Sequence, residues 1–239
     1  MRLGVAQMFI ADSIEKNAST IHRLTDEAAR RGIALLAFPE MSLTGYNPEV
    51  LGSSTFKEDL DRAMAELRDK AKERHMGLIV GRADFVGDLL FNAATVILPD
   101  GREVTYHKIH LTAAEEKYFT AGKDPAVFEF RERKFGVIIC RDQNFPELAR
   151  DIASKEASAL FILSAHYYSP QEARWKVEKN RALPIARAVE NHFHVLLANA
   201  VGSHIGLISL GNSLIADPEG ALVALADEAS ETILTCDLP

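Results

Sequence analysis

The chain has little cysteine: only Cys140 and Cys236 occur among its 239 residues, so a disulfide framework of the secreted kind is excluded. No apolar run approaches the roughly 18 residues that a membrane helix requires. The opening Met1-Arg2-Leu3-Gly4-Val5-Ala6-Gln7 is strand-like and lacks a signal-peptide pattern, so the reducing cytoplasm is the expected compartment. Runs rich in Lys or Arg are missing, and a net charge of −7 makes nucleic acid and anionic membranes poor partners. No GxxxxGK[ST] phosphate loop, internal repeat or linker is found. What remains is an ordinary globular composition, 47% hydrophobic and 26% charged, long enough for one large core. One domain over residues 1–239 acting on a small molecule is expected.

Apolar periodicity then orders the chain. Leu3 to Met8 reads as a buried strand; Asp12 or Ser13 can cap a helix with Ile14, Ala18, Ile21, Leu24 and Ala28 on one face, ended by Gly32. Ile33 to Phe38 is a strand-length apolar run, which makes a parallel strand-helix-strand unit. A second helix uses Phe56, Leu60, Met64, Leu67 and Ala71, and the strand Gly77 to Gly81 follows it. Ala93 to Leu98 and Arg102 to Tyr106 flank Pro99-Asp100-Gly101 and should form a hairpin that runs straight into Lys108. Val127 to Phe130, Phe135 to Ile139 and Ala159 to Leu163 are further strands, with Ala149 to Ser154 in a helix between the last two. Pro170 to Asn191 is a long helical stretch that Pro184 must kink or interrupt. Val195 to Asn199, Asn212 to Ala216, Leu222 to Ala226 and Thr232 to Thr235 are strands again. This alternation predicts an α/β fold with large sheets covered by helices.

Chemistry enters where three strands stop. Val137-Ile138-Ile139 ends abruptly in Cys140, and Pro146-Glu147 suits the first turn of a helix, so the thiol sits on a strand-to-helix elbow whose N–H groups and helix dipole favour a thiolate. Taken alone, Cys140 reads as a small buried hydrophobe. Glu40 and Lys108, however, follow predicted strands in the same way, and ligands bind at the carboxyl ends of strands in open α/β sheets. A carboxylate that takes a proton, an ammonium that stabilises an oxyanion and a thiol that attacks carbon make joint sense. His107 and His110, or His192 and His194, suggest a metal site, but no cysteine or carboxylate spacing completes one; neither metal nor cofactor is expected.

The local sequences resemble the signature motifs of the nitrilase superfamily of carbon-nitrogen hydrolases. Phe38-Pro39-Glu40-Met41-Ser42-Leu43-Thr44-Gly45-Tyr46 is similar to the segment around that family's general-base glutamate. Tyr106-His107-Lys108-Ile109-His110-Leu111 is similar to its lysine motif, and Gly136 to Cys140 with Asp142, Phe145, Pro146 and Glu147 to its nucleophile motif. Glu116-Lys117-Tyr118-Phe119 followed by Gly122 looks like the segment carrying a second active-site glutamate. Trp175, Arg187 to Asn191, Ala198-Asn199, Gly202, Gly211-Asn212-Ser213, Asp217-Pro218 and Gly220 extend the likeness over nearly the whole chain.

The resemblance implies a four-layer α-β-β-α sandwich, and a homodimer or higher homo-oligomer. It implies Glu40, Lys108, Cys140 and Glu116 as catalytic residues, Glu116 positioning Lys108, and hydrolysis of an amide or N-carbamoyl group through a cysteine thioester. Arg141, Tyr46 and His166 are the candidate substrate-binding residues; Arg141 stands where the family usually has an aromatic residue, which puts a cation near the thiol. Nitrile hydrolysis, acyl transfer by the same site and a catalytically silent, protein-binding member stay open as alternatives.

Overall fold

The computed structural model describes residues 1–239. In chain order its elements are β1 (Arg2–Gln7), α1 (Ile14–Arg30), β2 (Leu35–Ala37), the short α2 (Pro48–Leu51), α3 (Phe56–Arg74), β3 (Gly77–Val86), β4 (Leu89–Ile97) and β5 (Glu103–His107). The second half holds β6 (Ala126–Phe130), β7 (Arg133–Ile139), α4 (Pro146–Ser154), β8 (Ala159–Ser164), α5 (Pro170–Asn191), β9 (His194–Asn199), β10 (Val201–His204), β11 (Leu207–Leu210), β12 (Leu214–Ala216), β13 (Leu222–Leu225) and β14 (Thr232–Asp237). Two six-stranded sheets result, ordered β14-β1-β2-β3-β4-β5 and β13-β12-β9-β8-β7-β6.

Side-chain alternation explains why the sheets stack as the middle of four layers. Along β2, Leu35 and Ala37 belong to a core shared with Val137, Ile139 and Phe161 of the other sheet, whereas Leu36 and the following Phe38 pack with Ile21 and Leu24 of α1 and Leu60 and Leu67 of α3. Both faces of the strand are dry, so its sequence is apolar without a break. On the far side Leu148, Ala149 and Ile152 of α4 and Ala188 of α5 close the other sheet. The expected α-β-β-α sandwich is thus formed.

Strand direction gathers one edge of each sheet. β1, β2 and β3 are parallel, β4 reverses and β5 reverses again, so β5 ends on the same side as β2. β7, β8 and β9 are parallel in the other sheet. The carboxyl ends of β2, β5, β7 and β8 therefore bring Glu40, Lys108, Cys140 and Ala165-His166 to one crevice.

Several local expectations are met. Ser13 caps α1 by accepting from the Lys16 N–H, and Gly101 in its left-handed conformation closes the β4–β5 turn. Others need correction. Pro184 does not interrupt α5, which stays helical from Pro170 to Asn191; the ring removes one N–H, and the rest of the helix stays packed on its sheet. β3 and β4 are longer than their apolar runs, extending as a hairpin around Gly87-Asp88 because ladder pairing from Leu78↔Ile97 out to Val86↔Leu89 satisfies the backbone of a half-exposed ribbon. The β10–β11 hairpin, turning at Ile205-Gly206 with both residues at positive φ, has no apolar alternation long enough to announce it.

One contact ties this architecture to the crevice. Gly81 of β3 lies against the backbone of the Glu40 turn, and a Cβ there would run into the Pro39 carbonyl oxygen and the Met41 nitrogen. Backbone cannot yield as a side-chain tip can. Gly81→Ala should cost at least about 2 kcal/mol, read as a lower denaturation midpoint; a midpoint unchanged from the parent would show that the turn is not held by this contact.

Candidate active site

Each reactive side chain is delivered by a turn that its own sequence builds. After β2, Phe38 still pairs with Ile79 and the chain then turns, with Met41 at φ 53°, leaving Glu40 buried. Lys108 is locked by its own backbone, its N–H donating to the Asn92 carbonyl (2.9 Å) and its carbonyl accepting from Gly122 (2.8 Å). Cys140 opens a short 3-10 turn, Cys140–Asn144, at φ 45°, an uncommon conformation for a side-chain-bearing residue. The helix α4 starts only at Pro146.

Inside the crevice the Lys108 ammonium spends its protons on two carboxylates. Its Nζ lies 2.7 Å from Glu40 Oε1 and 2.8 and 2.9 Å from the two oxygens of Glu115. Asn92 bridges the same pair, its Nδ2 donating to Glu40 Oε1 and to Glu115 Oε1, each at 2.8 Å. The free oxygen of Glu40 accepts from the Ala165 backbone N–H at 2.9 Å. Glu40, Lys108, Glu115 and Cys140 all line one cavity of about 790 Å³.

The expected partner of Lys108 needs correction. Glu116 is exposed, and its neighbour Glu115 takes the place. Thr112-Ala113-Ala114-Glu115 is a capping box: the Glu115 carboxylate accepts from the Thr112 N–H at 2.9 Å, and the Thr112 hydroxyl accepts from the Glu115 N–H at 3.3 Å. That T-x-x-E signature is the signal by which sequence reasoning had access to Glu115. Asn92 was legible less directly, as an amide inside the apolar stretch Leu89–Ile97, but an expected strand beginning at Ala93 leaves it out. The three candidate binding residues all line the cavity. Tyr46 brings its hydroxyl 3.4 Å from Asn92 Nδ2, His166 is buried beside Gln143 (3.2 Å), and Arg141 is exposed at the mouth.

Burial governs the protonation states. Glu40 is pushed above the ordinary carboxylate range by burial, with the Glu115 charge adding to the effect and Lys108 opposing it. For Glu115 burial also works upward, but Lys108, the Thr112 N–H and Asn92 outweigh it and hold the group below that range. Burial opposes the Lys108 charge, yet Glu40, Cys140 and Glu115 together raise it, so the ammonium is permanent. The Cys140 thiol is raised by burial and then by Glu40, against Lys108. The elbow was expected to favour a thiolate; desolvation and the adjacent carboxylate win instead, and the resting group is a thiol. Burial and then the nearby lysines Lys179, Lys108 and Lys176 lower His166 to about 3, leaving a neutral ring.

A second buried acid joins the two halves of the site. Asp142 accepts from Tyr106 Oη (2.7 Å), from the His110 N–H (2.9 Å) and from the Ile139 N–H (3.1 Å), with His110 Nδ1 at 3.0 Å. Tyr106 and His110 flank Lys108, while Ile139 precedes Cys140. Asp142 thus fastens the lysine strand to the nucleophile turn. Asp142→Asn, which keeps the shape but turns one acceptor into a donor facing donors, should lose about 2 kcal/mol or more of stability in denaturant titration. A loss under about 0.5 kcal/mol would contradict this role.

The pattern of the carbon-nitrogen hydrolase family matches residues 2–239. A nitrilase of Pyrococcus abyssi is 34% identical over 223 residues, covering 92% of this chain and 82% of that one. A 2-oxoglutaramate amidase of Bacillus subtilis is 33% identical over 194 residues, covering 80% and 72%. Among solved structures, an amidase from Nesterenkonia sp. superposes with a TM-score of 0.87 at 27% identity, over 100% of this chain and 90% of that one. In a variant of the Nesterenkonia sp. AN1 amidase, acrylamide has undergone Michael addition at the active-site cysteine; that structure superposes with a TM-score of 0.87 at 26% identity, over 100% of this chain and 93% of that one. The chain belongs to the carbon-nitrogen hydrolase family.

Proposed function

We propose that this hydrolase cleaves the C–N bond of a small-molecule amide or N-carbamoyl compound through a thioester on Cys140. The observation that carries the reading is the Glu40 carboxylate, one oxygen on Lys108 Nζ and the other on the Ala165 N–H, in the wall of the cavity that Cys140 also lines. Because the thiol rests protonated and Glu40 is raised towards it, proton transfer accompanies attack rather than preceding it.

Cys140 Sγ bonds to the amide carbon as Glu40 takes the thiol proton, and the carbonyl π electrons move onto oxygen. The positive charge of Lys108 and the Arg141 backbone N–H stabilise that oxyanion. When it collapses the C–N bond breaks, and Glu40 returns the proton to the departing nitrogen. Water then gives a proton to Glu40 and attacks the thioester; the C–S bond breaks and the sulfur recovers the proton from Glu40. Glu115 holds Lys108 in place throughout. An amide or carbamoyl substrate is read in preference to a nitrile because the similar solved structures are of amidases and an amidase relative is 33% identical, beside a nitrilase at 34%.

Cys140→Ala should lower kcat by about 10⁴-fold or more, and Glu40→Gln and Lys108→Ala by about 10²-fold or more. A Cys140→Ala enzyme keeping over about a tenth of its rate would exclude the covalent route. Glu115→Gln should lower kcat and also move the acid limb of kcat/KM to lower pH, since the lost negative charge had been raising Glu40; the exposed Glu116→Gln should move neither. A pH profile in which Glu116→Gln, not Glu115→Gln, shifts the limb would reverse the assignment.

A further inference from the structure

One buried histidine takes no part in the chemistry above. His204 ends β10, just before the Ile205-Gly206 turn, and is 4% exposed. Both ring nitrogens are engaged: Nε2 lies 3.0 Å from the Tyr46 nitrogen, and Nδ1 lies 3.3 Å from Asp12 Oδ1. A backbone N–H can only donate, so Nε2 is the acceptor and the ring proton sits on Nδ1, facing the Asp12 carboxylate. Asp12 thus selects the tautomer that Tyr46 needs. Burial keeps the ring neutral, against the opposing pull of Asp12.

The segment that receives the ring is shaped for it. Gly45 has φ 66°, and a Cβ there would lie 3.2 and 3.3 Å from His204 Cε1 and Nε2 and 3.3 Å from the Ala11 carbonyl oxygen. Tyr167, from the loop after β8, packs on the ring with centroids 5.5 Å apart. One residue past Gly45, Tyr46 stands edge-on to Phe119 and brings its hydroxyl to the acid cluster, accepting from Asn92 Nδ2 at 3.4 Å. Burial and the Glu40 and Glu115 charges keep that phenol protonated, so it donates to Glu40 and works against the rise that burial causes there. His204 itself lies behind the cavity wall, whereas Tyr46 and the next two odd-numbered hairpin residues, Ile205 and Leu207, line it.

We propose that His204, oriented by Asp12, is a positioning residue that sets the Tyr46 hydroxyl against Glu40 and so holds the base ready. This rests on Glu40 being the base of the reaction above and adds a residue that touches neither thiol nor cavity. Without an acceptor at Nε2 the Tyr46 N–H loses its partner, the segment from Gly45 loosens, and the hydroxyl no longer steadies the carboxylate form of Glu40.

The acid limb of kcat/KM reads this link, because Glu40 is faced by Lys108, Glu115, Cys140 and Tyr46, and His204 by Asp12 and Tyr167. Tyr46→Phe should move the limb to higher pH by about half a unit or more. His204→Leu should move it the same way and lower kcat about tenfold, while His204→Gln, whose amide oxygen can accept from the Tyr46 N–H, should restore both to near the parent. The double variant His204→Leu/Tyr46→Phe should shift the limb no further than either single one. Should His204→Leu fail to fold, Asp12→Ala, at a half-exposed carboxylate, should still raise the limb, and Asp12→Asn, which keeps an acceptor, should not. A limb unmoved in the folded His204 or Asp12 variant, additive shifts in the double variant, or a loss that Gln does not rescue would overturn the proposal. Glu115→Gln is run alongside: a limb that answers it but not His204 overturns this inference alone, and a limb that answers neither overturns the assignment of the base as well.

Discussion

The site depends on one ammonium shared between two buried carboxylates. Lys108 is among the largest fully buried side chains, and taking such a charge out of water costs several kcal/mol unless it is fully paired. Glu40 and Glu115 do that pairing from different parts of the chain, Glu40 after β2 and Glu115 from the capping box beyond β5. Asn92 of β4 spans the two acids, and Ala165 at the end of β8 takes the remaining oxygen of Glu40. One cluster therefore couples both sheets. The amide of Asn92 has to point its nitrogen at the acids, since a carboxylate has no proton to give.

The same cluster sets the reactivity. Burial lifts both Glu40 and the Cys140 thiol, the neighbouring carboxylates add to it, and Lys108 opposes it. Base and nucleophile are both raised, so in the proposed reaction Glu40 takes the proton as the sulfur attacks, and no free thiolate stands exposed to oxidation meanwhile.

Much of this was legible in the sequence because buried strands in a layered sheet are apolar on both faces and stop sharply. Leu35 to Phe38 and Phe135 to Ile139 announced themselves, and the residues immediately beyond them, Glu40 and Cys140, fell where a crevice had to lie. What stayed hidden depends on long-range pairing. Asn92 looks like a poor strand residue until Glu40 and Glu115, distant in the chain, give it partners. Choosing between the adjacent Glu115 and Glu116 required recognising that Thr112 starts a turn. At Cys140 the local elbow favours ionisation, whereas burial and Glu40, both consequences of the tertiary fold, oppose it more strongly.

The central claim is that the cluster serves a covalent step at Cys140. Intact-protein mass spectrometry of the enzyme quenched during turnover of an amide tests it most directly. The account predicts an added mass equal to the acyl group, mapped to Cys140 and not Cys236, and absent from Cys140→Ala. Turnover with no adduct at any quench time in the parent enzyme, with an activated ester included as a substrate whose acylation outpaces hydrolysis, would contradict it.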